Sequence, residues 1–205
     1  MTRNLAEHST LLRKVPVIIW LGLATLVLFG GGGIALITGV QRRALGEVLV
    51  QEVGVPLQVA YGLVVGVAIG MLAWMLIRAP GFTPLRERYA LLIGPHVQQR
   101  SMRIAISICA GVGEELFFRG ALQPWLGIPV TAVLFVAIHG YLDPRDKRLF
   151  IYGAVLTLGM MVLGWMADVQ GLVGPMVAHT LIDIILLERL HTTYCGITQE
   201  RHLPA

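Results

Sequence analysis

Charge is scarce in this sequence and cysteine nearly absent. Only 14% of the 205 residues are charged, against about a quarter in an average soluble domain, while 56% are hydrophobic. Mean hydropathy is +0.73. A water-soluble globule is excluded, and the composition is that of a chain crossing a membrane several times. The two cysteines exclude a disulfide framework, because Cys109 lies in an apolar run and Cys195 in a polar tail. Cys109 precedes Glu114 by five residues, about 140° around a helix, and reads as packing. Internal repeats, low-complexity tracts, a second domain and a His-Glu-x-x-His helix are also missing. The net charge of +4 does not point to nucleic acid, since the basic residues sit at the ends of apolar runs.

What is there is a series of apolar windows, each long enough to cross about 30 Å of hydrocarbon. They run over 15–38, 56–77, 104–120, 122–142, 149–167 and 172–190, which predicts an all-α, polytopic membrane helical bundle of about six transmembrane helices with its site inside the bundle. The first window is too long for a secretory h-region, and Gly30 to Gly33 should loosen or bend it. In the fourth, Pro124, Gly127 and Pro129 favour a short or re-entrant helix beginning near Val130.

Basic residues test this layout. Arg3, Arg13, Lys14, Arg78, Arg86, Arg88, Arg100, Arg103, Arg145, Lys147, Arg148, Arg189 and Arg201 all fall on one side, 13 of the 16. Only Arg42 and Arg43 fall on the other, and Arg119 lies within a span. Both termini are therefore expected in the cytoplasm, in the inner membrane of a prokaryote. One integral membrane domain, 1–205, divides into two spans and an amphipathic connector (1–103, the connector over 84–99 and broken at Pro95), helices with the chemistry (104–190) and a tail (191–205). Gly62, Gly66 and Gly70 form a flat stripe, expected to pack within the molecule.

The chemistry concentrates in Gly113-Glu114-Glu115-Leu116-Phe117-Phe118-Arg119-Gly120. Each ionisable group at membrane depth costs about 2.5 to 3.5 kcal/mol on insertion scales, so three together need partners. Glu115 and Arg119 are one helical turn apart and can pair. Glu114, about 100° away, is left freer to act as a general base. Phe135 and His139 share a face, as do His179 and Asp183, so two imidazoles and carboxylates can converge from three spans. The remaining histidines, His8, His96, His191 and His202, lie in polar flanks and are assigned no role. His139 sits nearer the membrane surface than Glu114, which a water-filled cavity opening to the cytoplasm would reconcile.

Glu114-Glu115-x-x-x-Arg119, Phe135-x-x-x-His139 and His179-x-x-x-Asp183, in this order over 104–190, resemble the three motifs of the CPBP family of intramembrane proteases, which includes type II CAAX prenyl endopeptidases and bacteriocin-processing enzymes. The resemblance implies that Glu114 with His139 activates a water, that His179 and the residue four later stabilise the oxyanion, and that Arg119 organises the site through Glu115. Family members often carry Asn where this chain has Asp183, read here as a carboxylate that orients His179. The substrate implied is a membrane-associated peptide or protein, with CAAX-type, leader-peptide and anchor processing all open. No cofactor is expected. Glu114, His139 and His179 could alternatively hold Zn²⁺. A proton-coupled transporter or a non-catalytic membrane or immunity scaffold would use the same residues differently, and oligomeric state is left open.

Overall fold

The computed structural model describes residues 20–200, and the terminal residues Arg3, His8, Arg13, Lys14, Arg201 and His202 lie outside them. Among the described residues every regular element is a helix, as the apolar windows require. Helix α1 (Trp20–Val40) keeps its course through the four glycines. Its backbone widens to π-helix at Leu26–Gly31, which takes in the first two of them, and again at Leu36–Val40, which is the loosening that the glycine run predicts. A Cβ on Gly33 would lie 2.7 Å from the Leu116 carbonyl carbon, so glycine there lets α1 press against the backbone just after Glu115.

A short helix α2 (Leu45–Leu49) precedes α3 (Val55–Arg78). The stripe of Gly62, Gly66 and Gly70 faces α8 (Val173–Glu200), where added Cβ atoms would lie 2.5 Å from Gly174 O, 2.7 Å from Ala178 O and 2.9 Å from Ile185 Cδ1. The stripe therefore packs within the molecule, as expected. The connector forms α4 (Thr83–Ile93), ended by a 3-10 turn over Gly94–His96 that contains Pro95.

The third and fourth windows are one folded run. Helix α5 (Arg100–Glu115) passes into a π-helix at Leu116–Leu122 and then into α6 (Gln123–Ile138). At Gly127 the backbone turns to φ 74, ψ 167, a conformation that glycine tolerates and L side chains avoid. The limbs on either side lie antiparallel, since the Phe118 and Phe135 rings are 5.0 Å apart and Glu114 Oε2 lies 3.6 Å from His139 Nε2. From Gly127 to Ile138 the returning limb rises only about 16 Å, half a bilayer core. The short fourth helix inferred from its prolines is thus present, with the break at Gly127.

Residues 139–146 then form turns until Asp146 caps α7 (Lys147–Gln170) by accepting from the amides of Arg148 and Leu149. The turns pack against α7, because the Tyr141 carbonyl abuts Gly153, about 9 Å up α7 from its first residue, while His139, Gly140 and Asp143 to Arg145 stay exposed. By length and apolarity four helical stretches qualify as membrane spans: Trp20–Val40, Val55–Arg78, Arg100–Ile138 and Lys147–Gln170. Windows three and four are one run folded at Gly127, and α8 carries Asp183, Glu188 and Arg189 within its length.

One end of the bundle gathers the basic segments. Arg100 and Arg103 pair with Glu188 at 3.4 and 3.1 Å, Arg189 stacks over Trp74, and Tyr89 meets Tyr141. The opposite end is tied by Leu172 N donating to the carbonyls of Val48 and Leu49. The glycine stripe gives a test with opposite signs. Gly66→Ala should lower the melting temperature in detergent by forcing α3 from α8, a loss of about 1 to 3 kcal/mol. Gly39→Ala, whose Cβ would meet nothing within 4 Å, should leave it unchanged or raise it.

Candidate active site

Small residues on α5 bring its neighbours close to the paired glutamates. Ser107 and Gly111 are buried one turn apart, and a Cβ on Gly111 would strike Thr180 on α8. On another face a Cβ on Gly113 would sit 3.0 Å from Thr25 O in α1. Glu114 and Glu115 are thus enclosed from two sides, with relative exposures of 7% and 0%.

Glu115 is the better satisfied carboxylate. Its Oε1 accepts from Arg119 Nη1 at 2.9 Å and from His179 Nδ1 at 2.8 Å. Arg119, 3% exposed, also donates to the Met160 carbonyl at 3.4 Å, contacts its sulfur at 3.1 Å and stacks over the Phe135 ring. The pair inferred from i,i+4 spacing is present. The bond to His179 is not foreseen by spacing, because it joins two helices across 64 residues. It changes the reading of Asp183, whose Oδ2 is 3.8 Å from His179 Nε2, beyond hydrogen-bond range. The carboxylate that orients His179 is Glu115.

Glu114 is held differently. Its buried Oε2 has no hydrogen-bond partner and faces two ring nitrogens, His139 Nε2 at 3.6 Å and His179 Nε2 at 3.9 Å. Each ring has its other nitrogen committed. His139 Nδ1 donates to the Phe135 carbonyl at 2.7 Å, and His179 Nδ1 donates to Glu115. A carbonyl and a carboxylate can only accept, so both Nδ1 atoms carry hydrogen, and each ring in its neutral form turns a lone pair toward Glu114. Three acceptors aimed at one point favour a small donor between them.

These groups line a cavity of about 150 Å³ together with Phe135, Tyr141, Tyr152, Met160 and Asp183. The side chains of His139 and Asp183 are 35% and 30% exposed, whereas Glu114 is deep, so the cavity opens past them toward the basic end. From the turns over residues 139–146, His139 and Tyr141 line this cavity, and non-helical backbone is tolerated at membrane depth where it does so. All six candidate residues are thus brought into one linked set, while Tyr141 and Tyr152 join it without a motif to announce them. A larger cavity of about 630 Å³ lies at the other end, bordered by Arg43, Gln41, Gln51, Trp125, Asp168 and the far side of Arg119. It touches the set only through Arg119. Among the described residues no group of three or more His, Cys, Asp or Glu is arranged to hold a metal ion.

The buried ion pair yields a stability test. Arg119→Met strands the Glu115 charge and should cost about 3 to 5 kcal/mol, whereas Glu115→Gln with Arg119→Met should recover much of the loss. Thermal melting in detergent of both variants beside the parent chain checks this.

Residues 97–185 match the family model of type II CAAX prenyl endopeptidase Rce1-like proteins, a segment that contains all six residues. No curated protein and no solved structure matches the chain.

Proposed function

Because residues 97–185 match the Rce1-like family model, we propose that the chain is a metal-independent intramembrane endopeptidase in which Glu114 activates water. The observation that carries this reading is the convergence of Glu114 Oε2 with the Nε2 atoms of His139 and His179 in one half-enclosed cavity. A water there donates one hydrogen to Glu114 and the other to His139. As its oxygen adds to the peptide carbonyl carbon, Glu114 takes the proton and later passes it to the departing amine nitrogen when the C–N bond breaks. His179, held by Glu115, faces the developing oxyanion with Nε2 and donates to it in the ring's protonated form, the form the Glu115 carboxylate favours before the peptide binds. Arg119 and Glu115 are positioning residues.

The substrate is a membrane-associated peptide or protein, and the family match favours a CAAX-type C-terminus. The cavity opens at the end rich in Arg and Lys, which the positive-inside rule puts in the cytoplasm, so the extended peptide enters from there in the inner membrane. Glu114→Gln keeps shape and removes the base. It should lower cleavage of a prenylated CAAX peptide in proteoliposomes by about a thousandfold or more with melting unchanged. Activity should survive chelation by 1,10-phenanthroline; a chelation-sensitive parent enzyme would instead favour zinc. Asp183→Asn, which leaves the Glu115–His179 bond intact, should retain cleavage within about tenfold of the parent rate. A collapse comparable to that of Glu114→Gln would restore an essential role to the Asp183 charge.

A further inference from the structure

The cavity is rich in acceptors and short of donors. Glu114 and Asp183 are carboxylates, and the two histidines have spent their Nδ1 hydrogens on Phe135 and Glu115. A tetrahedral intermediate needs the reverse, since its oxyanion is stabilised by donors aimed at the place where charge develops. His179 supplies at most one such hydrogen, through Nε2, and only when protonated. An ionised Asp183, one turn further along α8, has none to give.

Two neutral O–H donors remain in the lining, the phenols of Tyr141 and Tyr152. Neither makes a hydrogen bond to another group among the described residues, although Tyr152 is only 5% exposed. Their rings are fixed by packing. Tyr141 lies parallel to His139, interplanar angle 1° and centroids 6.3 Å apart. Tyr152 meets Tyr141 edge-on at 5.9 Å and is carried by the rigid α7. Phenols usually find a partner when buried, so two cavity-lining hydroxyls without a protein partner, on buried Tyr152 and partly buried Tyr141, mark a place where a ligand oxygen is expected. We propose that Tyr141 and Tyr152 form the neutral half of the oxyanion site, donating to the carbonyl oxygen of the scissile peptide while His179 donates from the other side.

The idea rests on the peptidase reading, and the experiment separates the two. Phenylalanine at either position keeps every ring contact and removes only the hydroxyl. Kinetics with a quenched fluorogenic prenylated CAAX peptide in proteoliposomes should show kcat falling about tenfold for Tyr141→Phe or Tyr152→Phe and about 10² to 10³-fold for the double variant, with KM little changed. Affinity for a phosphinate analogue of that peptide, which mimics the tetrahedral state, should fall in parallel while affinity for the uncleaved peptide, measured on the Glu114→Gln background, stays constant. A structural role would move melting temperature and ground-state affinity instead. Parental kcat in the double variant, or phosphinate affinity untouched by it, overturns the assignment while leaving the peptidase reading intact. A parent chain that neither cleaves the peptide nor binds the phosphinate overturns both.

Discussion

A single oxygen atom, Oε1 of Glu115, holds the site together. It accepts from Arg119 on its own run and from His179 on α8, at 2.9 and 2.8 Å, in surroundings where its residue has no exposed surface. Such an ionised carboxylate survives in an apolar bundle only when its partners repay the lost hydration. The arginine repays most of it, and in doing so allows the carboxylate to fix the tautomer of an imidazole 64 residues away. Glu114, one residue earlier, faces another direction on the helix and is left without any comparable donor. Neighbouring glutamates thus acquire opposite duties from helical geometry alone: one is spent on structure, the other is held in reserve.

That division works only if α1 and α8 come close to the glutamates, and the sequence achieves this by removing side chains. Gly111 admits α8, Gly113 admits α1, and Gly62, Gly66 and Gly70 seat α3 on the far face of α8. In hydrocarbon there is little hydrophobic gain from bringing helices together, so close backbone approach and interhelical polar bonds supply the association. The Glu115–His179 bond is both a product of that approach and a clamp on it.

Much of this is legible in the sequence, and the boundary of what is legible has a physical cause. Glu115 with Arg119 and Phe135 with His139 follow from 3.6-residue periodicity, because each pair lies on one helix. So does the separation of Glu114 from Glu115. What periodicity cannot supply is the rotation of one helix against another, which decides that Glu115 rather than Asp183 meets the Nδ1 of His179. The prolines around Gly127 announce a short helix, yet whether its end reaches the level of Glu114 depends on a register set by packing of Phe118 on Phe135. Tyr141 and Tyr152 stay silent for a further reason: one lies in a polar turn and the other in an apolar run, where aromatic residues are ordinary, and only the fold makes them neighbours.

The proposed hydrolysis inside a membrane would set two demands that oppose one another, since water must reach the peptide and must not cross. The short fourth helix meets the first. By ending at His139 it leaves turns, rather than a continuous apolar cylinder, between Glu114 and the basic end, and from those turns His139 and Tyr141 line the cavity. The second demand falls on the same residues that organise the chemistry. The cavity at the opposite end reaches Arg119, whose guanidinium is bound to Glu115, which in turn is bound to His179 in the wall of the small cavity. Polar atoms therefore run from one cavity to the other as a bonded series of side chains, backed by the buried ring of Phe118, rather than as open space. Loss of the arginine would then loosen the bond that positions His179 and a barrier to water together, which ties the precision of the site to the tightness of the bundle.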